Sequence, residues 1–207
     1  QHYGRGGGQH YGRGGGQHYK NKSKINVSVT TSLEDSCKVI LFNQWNDNQY
    51  GVFSQDYKKT FSVDGLQYNC VEQFIMAKKA EIFGDEYTKE QIMLSNNPIE
   101  IKTLGQTISN FDQFKWNELY YNFLVTANYN KFKQNKFIKN LLIQTGDKII
   151  AYACPFNKIL GIGVYLFQKD GTPNIHSYNK SNWPHDAQNI LGKVLMEVRS
   201  KIKSEED

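Results

Sequence analysis

Residues 1–8 read QHYGRGGG, residues 9–16 repeat them, and residues 17–19 begin a third copy. Glycine at this density cannot offset its ordering entropy by burial, so the segment is expected to be disordered. Any fold must be built from the residues beyond it. The tail over residues 1–24 also holds the chain's charge asymmetry. Lys and Arg number 25 against 20 Asp and Glu, a net charge of +5. Arg5, Arg13, Lys20, Lys22 and Lys24 are the only charged residues before position 25, so residues 25–207 are neutral overall. A globally basic nucleic-acid-binding body is therefore excluded, because phosphate binding needs surplus cations on the folded surface. The expected organisation is a disordered tail over residues 1–24 and one domain over 25–207, long enough for a full core.

Other classes fall on pattern. No apolar run is long enough for a transmembrane helix, and the N-terminal stretch has no apolar signal core. Cys37, Cys70 and Cys154 are scattered, without a C-x-x-C pair. That argues against a disulfide scaffold or zinc site and for a reducing, intracellular setting, cytoplasmic or nuclear. The three are read as small buried residues. In the tail, Arg and Tyr spaced by Gly suit weak RNA contact. His2, His10 and His18 recur every eight residues, a pattern too unspecific to assign a metal.

The body alternates short apolar runs with helical periodicity. Lys38–Phe42 and Lys148–Ala153 read as strands, and Thr60–Tyr68 as a hairpin turning at Asp64-Gly65. Helices are expected over Cys70–Phe83, Asp85–Ser95, a short segment opened by Pro98, Asp112–Phe132 and Asp186–Ile202. No regular βαβ repeat is present, so the fold class is α+β, helix-rich with a small sheet.

Three stretches can carry chemistry. In Asn69-Cys-Val-Glu72-Gln-Phe-Ile-Met76-Ala-Lys-Lys79, a helix places Glu72, Met76 and Lys79 on one face. Spacing alone leaves two readings of Glu72: a working carboxylate, or a capping box with Asn69. Gly161 and Gly163 follow a strand and suit either backbone approach to a ribose or phosphate, or a plain turn. Trp183 and Asn189 precede the last helix, where a ligand or ordinary capping both fit. His176 and His185 read as solvated loop residues, and no Ser-His-Asp or Cys-His constellation stands out.

Taken in order, Gly51-Val-Phe53-Ser54, Asp64-Gly65, Val71-Glu72-Gln-Phe with Lys79, Trp116, Leu160-Gly-Ile-Gly163 and Asn189-Ile-Leu-Gly192-Lys-Val-Leu-Met-Glu-Val-Arg199 resemble the NADAR family, also called YbiA-like. The resemblance covers roughly residues 38–202. It implies one α+β domain linked to NAD and ADP-ribose metabolism that hydrolyses an N-glycosidic bond. The implied substrate is ADP-ribosyl-guanine in nucleic acid or a phosphoribosylamino-pyrimidine intermediate of riboflavin synthesis. No cofactor, metal or membrane is implied. Glu72 matches the family's catalytic Glu, and Asn157 stands where the family carries Asp. By the same resemblance Lys79 contacts phosphate or orients Glu72. Phe53, Trp116 and Trp183 wall a base or sugar, with Ser54 and Asn189 beside them, and Gly161 and Gly163 admit the ribose. Four departures, Asn157, Leu160 in place of Trp, Tyr152 in place of Glu and Gln55 in place of Asn, motivate a second reading: a catalytically weak or inactive module that binds an ADP-ribose-like or NAD-derived ligand.

Deleting residues 1–20 is expected to abolish RNA contact and to leave turnover of small substrates unchanged. Binding assays at two salt concentrations, run beside turnover assays, check both halves.

Overall fold

Asp64 and Gly65 adopt positive φ, 50° and 80°, which turns the chain tightly between two short strands. In the computed structural model the described residues are 38–47 and 49–206; the readings of the Gly-rich tail and of Cys37 lie outside them. The elements run β1 (Val39–Phe42), a 3-10 turn (Gly51–Phe53), β2 (Phe61–Val63), β3 (Leu66–Tyr68), α1 (Val71–Ile82), α2 (Glu86–Leu94), α3 (Pro98–Gln106), α4 (Gln113–Lys133), α5 (Lys136–Gln144), β4 (Ile149–Tyr152) and α6 (Ile190–Ser204), with two 3-10 turns between β4 and α6. This is the α+β class expected. Among the described residues no helix is long and apolar enough to cross a membrane.

Helix starts follow local capping chemistry. Asp85 accepts from the Thr88 amide at 3.0 Å, Asn97 from Ile99 at 3.0 Å, and Asp112 from Lys115 at 3.0 Å. Gly84, with φ 70°, ends α1. Two elements depart from the sequence reading. The short helix α5 was not expected; it is held by Ile138 and Leu142, one turn apart and both buried. The last helix begins at Ile190 rather than Asp186, because Asn189 sits in the left-handed region and the Gln188 amide donates to the Lys158 carbonyl at 2.7 Å.

The sheet is split in two. β2 and β3 form the antiparallel hairpin, with Phe61 opposite Tyr68. β1 and β4 pair in parallel, Val39 opposite Ile149 through Phe42 opposite Tyr152. Both strands of that pair are buried on two faces, which explains their unbroken apolar sequences. Ile40, Phe42 and Ile150 enter the main core, while Val39, Leu41 and Ala151 join a smaller cluster with Ile162 and Leu166. Helix α6 covers β4 and packs on α4; α4 packs on α1; α1 also meets α2 and α3. The Arg199 guanidinium, on α6, donates to Thr145 and to the Lys148 carbonyl at 2.8 and 2.9 Å, fixing the turn into β4.

Asn189 joins α6 to β4. Its Oδ1 accepts from the Tyr152 amide at 3.1 Å, and its Nδ2 donates to the Ile150 carbonyl at 2.9 Å. The approach needs a glycine next to it: a Cβ on Gly192 would overlap the Ile150 carbonyl oxygen. Gly192→Ala is therefore expected to destabilise the fold by about 1–3 kcal/mol. Urea unfolding should show the loss as a lowered midpoint with an unchanged slope.

Candidate active site

Cys70, in extended conformation, precedes the first turn of α1 and makes no side-chain cap. The return contact of a capping box is instead made by Gln73, whose Oε1 accepts from the Asn69 amide at 2.7 Å. Gln73 Nε2 also donates to the carbonyls of Ile92 and Ser95 at 3.0 and 3.1 Å, tying α1 to the end of α2. Glu72 thus has no capping duty. Its amide donates to the Gln55 carbonyl at 3.1 Å, and its side chain is buried.

Burial pushes the Glu72 carboxyl up to about 7; Lys102 and Lys79 pull it down, and Asp56 pushes it further up. A carboxyl so placed exchanges its proton near neutrality, the property a general base or acid needs. Lys102 is bound to Asp56 at 2.6 Å. Burial opposes the charge of Lys102, but Glu72 and Asp56 together raise its pKa. One lysine is therefore shared between two carboxylates.

An open cavity of about 540 Å³ has a wall formed next to the Gln55 carbonyl that accepts from the Glu72 amide; Glu72 is not itself among the lining residues. Ser54 and Asp56, the neighbours of Gln55, line that wall, and Tyr152 and Cys154 line it from β4 and the turn after it. Glu72 is felt there: burial raises the Tyr152 hydroxyl, with Cys154, Asp56 and Glu72 adding to the shift. Trp45, Phe156 and Tyr165 stand exposed at the rim. Phe156 and Tyr165 meet edge to face at 5.9 Å. A second cavity of about 420 Å³ shares Trp45, Asp56 and Ile99 with the first.

The other residues singled out in the sequence occupy varied positions. Ser54 is at the cavity wall. Lys79 donates to the Gly105 carbonyl at 2.7 Å and lies 4.1 Å over the Phe111 ring. Burial lowers its pKa, and Glu72 opposes that shift. Phe53 is wholly enclosed between Phe42, Tyr50 and Phe132, and Trp116 is buried beside Tyr120 and Phe123. Trp183 packs in the smaller apolar cluster and donates to the Ser177 carbonyl at 2.8 Å.

Asn157 accepts from the amides of Ile159 and Leu160 at 3.1 and 2.8 Å, shaping the turn that comes after β4. A Cβ on Gly161 would stand 2.6 Å from the Tyr152 carbonyl oxygen, so this glycine serves the approach of the loop to the strand. Gly163 has φ 68°, a turn conformation. The amides of Asn189, Ile190 and Leu191 donate to the carbonyls of Gly161, Ile159 and Leu160, so those three are already engaged within the chain. His176 and His185 are exposed, as expected of loop histidines. Cys70 is buried, with its thiol pushed up to about 11 by burial, whereas Cys154 is half-buried at the cavity.

Three features were not singled out from sequence: Asp56 with Lys102, the rim aromatics, and Lys131. The Lys131 side chain is wholly buried, and its Nζ donates to the carbonyls of Val52 and Ser54 at 2.7 and 2.9 Å. Burial pulls its pKa down to about 7. A lysine in the last turn of a predicted helix carries no signal of burial. Only the return of residues 52–54 across it, 77 and 79 positions away in sequence, reveals its place.

Known proteins share this architecture. The NADAR domain model matches residues 41–203. The chain is 35% identical over 171 residues to N-glycosidase R617 of Acanthamoeba polyphaga mimivirus, covering 79% of this chain and 96% of that protein. It is 32% identical over 139 residues to Protein irg-1 of Caenorhabditis elegans, covering 66% of this chain and 62% of that one. Among solved structures, the NMR structure of the E. coli protein YbiA superposes with a TM-score of 0.64 at 24% identity, over 82% of this chain and 87% of that one. At that identity the likeness is one of fold.

The raised Glu72 pKa has a stability consequence. The folded state holds the proton more tightly than an unfolded carboxyl titrating near 4.5. Stability from this group is complete below that value and is lost as pH rises through about 7. Glu72→Gln, which carries no charge, is therefore expected to match wild type in acid and to exceed it by up to about 3 kcal/mol at about pH 8. Urea unfolding of both proteins across this range checks the sign and the window.

Proposed function

From the premise that the chain belongs to the NADAR domain family, we propose that it is an N-glycosidase that hydrolyses the bond between a ribose and a base, with Glu72 as the working carboxylate. The observation that carries this reading is Glu72 itself: buried, free of capping duty, poised near neutrality, and bonded through its amide to Gln55, whose neighbours Ser54 and Asp56 line a cavity large enough for a nucleotide-like group. The name of the mimivirus relative supports the reaction class.

The bond dictates the chemistry. As the C–N bond lengthens, its electron pair leaves with the base nitrogen and positive charge gathers on the anomeric carbon and ring oxygen. An ionised Glu72 stabilises that charge and takes a proton from the attacking water. The water oxygen bonds to the anomeric carbon, and the proton that Glu72 takes from it passes, directly or through solvent, to the departing base nitrogen, which leaves Glu72 ionised again. No metal is required for any of these steps. The Ser54–Asp56 wall and Tyr152 offer acceptors and a hydroxyl to the sugar, and the exposed rim aromatics offer faces to a base.

The substrate choice is between ADP-ribosylated guanine in nucleic acid and a phosphoribosylamino-pyrimidine of riboflavin synthesis. The family resemblance supports both. The second reading, a module that binds an ADP-ribose-like ligand without cleaving it, draws on Asn157. That residue cannot act as a base, and its amide oxygen is already held by two backbone amides.

Incubation with each substrate, followed by product chromatography, separates these readings. Hydrolysis is expected, with kcat/KM rising through about pH 7 as Glu72 ionises. Glu72→Gln should reduce kcat by about a hundredfold or more. ADP-ribose binding with no product from wild type, together with turnover in Asn157→Asp, would favour the binding module. Unchanged turnover in Glu72→Gln would remove this carboxylate from the mechanism.

A further inference from the structure

Lys131 has no part in the chemistry above, yet it is placed where that chemistry is supported. It lies on α4 with no exposed surface, and its ammonium points at two inward-facing carbonyls, Val52 and Ser54. The rings of Phe132 and Tyr57 stand 5.3 and 5.6 Å from it. Burying an ammonium is costly, and an apolar side chain of the same length would serve packing better. What an apolar side chain cannot supply is a donor for both carbonyls. Without Lys131 the Val52 carbonyl would lose its donor, at about 1–3 kcal/mol, and Ser54 would keep only the Tyr57 amide at 3.3 Å.

Those carbonyls belong to the segment that makes the site. Gly51–Phe53 is a single 3-10 turn, too short to hold its own shape. The next three residues supply Ser54 to the cavity wall, the Gln55 carbonyl to the Glu72 amide, and Asp56 to Lys102. Lys131 holds this segment at residues 52 and 54, and the Glu72 amide holds it at residue 55.

We infer that Lys131 is the positioning residue of this site, a strut that fixes the 51–56 strap and through Gln55 holds the first turn of α1, and so Glu72, in its working place. The inference rests on the reading of Glu72 as the working carboxylate. The strut works by donation and not by charge alone. A neutral amine keeps two N–H donors, so loss of the proton near pH 7 leaves both carbonyls served.

The test compares Lys131→Met, which removes both donors at nearly the same volume, with Lys131→Gln, which keeps two N–H donors. Amide hydrogen exchange of the full chain reads the strap directly and needs no substrate. In Lys131→Met the Glu72 amide is expected to exchange at least about tenfold faster, with Val198 in α6 unchanged. Lys131→Gln should lie between that variant and wild type; if the Met variant does not fold, the Gln variant alone must show faster exchange at Glu72. With ADP-ribosylated guanine oligonucleotide as the probe, kcat should fall about tenfold or more while KM stays within about twofold. Unchanged exchange at Glu72 in the folded variant overturns the strut. So does an equal rise in exchange at Glu72 and Val198, which would mark a general loss of stability. Absence of turnover in wild type sinks the hydrolase reading instead, and the exchange result still decides the strut.

Discussion

The hydrogen bond from the Glu72 amide to the Gln55 carbonyl, at 3.1 Å, joins the two halves of the site. One half is the strap after β1, irregular and short. The other is α1, the helix packed against α2, α3 and α4. A carboxylate is worth little to chemistry unless its position is fixed to a fraction of an ångström. Here the helix is rigid through its neighbours, and Gln73 and Asn69 anchor its start to the end of α2. The strap has no regular ladder of its own and is held by the packing of Phe53, by Lys131, by Lys102 on Asp56 and by the Glu72 amide. The site is an irregular piece fixed against a regular one.

Electrostatics at this junction is finely divided. Glu72 and Asp56 are two carboxylates with one shared lysine, and Lys79 contributes from the next turns of α1. Had Lys102 been paired with Glu72 in a close salt bridge, the carboxyl would have been driven low and could not take a proton near neutrality. The lysine bonds Asp56 instead, and burial is left to dominate at Glu72. Lys102 thus bonds one carboxylate directly and leaves burial to set the proton affinity of the other.

Much of the frame was legible in the sequence, because it is local. Asp-Gly sets its own turn, Asp85 and Asp112 cap the helices beside them, and Pro98 opens α3 next to Asn97. The class of fold and the face of α6 came from periodicity. Glu72 was found, but with two readings, because Asn69 and Glu72 alone do not say whether Gln73 will take the capping contact. Other roles depend on partners far along the chain. Asn189 reads as a cap until β4 arrives beside it, 37 residues away. Lys131 reads as a surface lysine until the strap crosses it. The aromatic residues divide in a way the sequence does not mark: Phe53 and Trp116 are enclosed and Trp183 is half-buried, while Trp45, Phe156 and Tyr165 stand exposed at the cavity. Composition marks an aromatic as large and apolar, and only packing decides which side of the wall it occupies.

The Asn189 side chain, with one donor and one acceptor set against Tyr152 and Ile150, reproduces the pairing that a peptide group of a neighbouring strand would offer. A two-stranded parallel pair otherwise presents unsatisfied backbone to whatever chain approaches, a template for aggregation. One carboxamide at the head of a helix, with the Ile162 amide on the Tyr152 carbonyl at 2.9 Å, covers the β4 side of the pair without a third strand. The sheet can therefore stay small, and the space a further strand would fill is left to the loop that leads to the cavity.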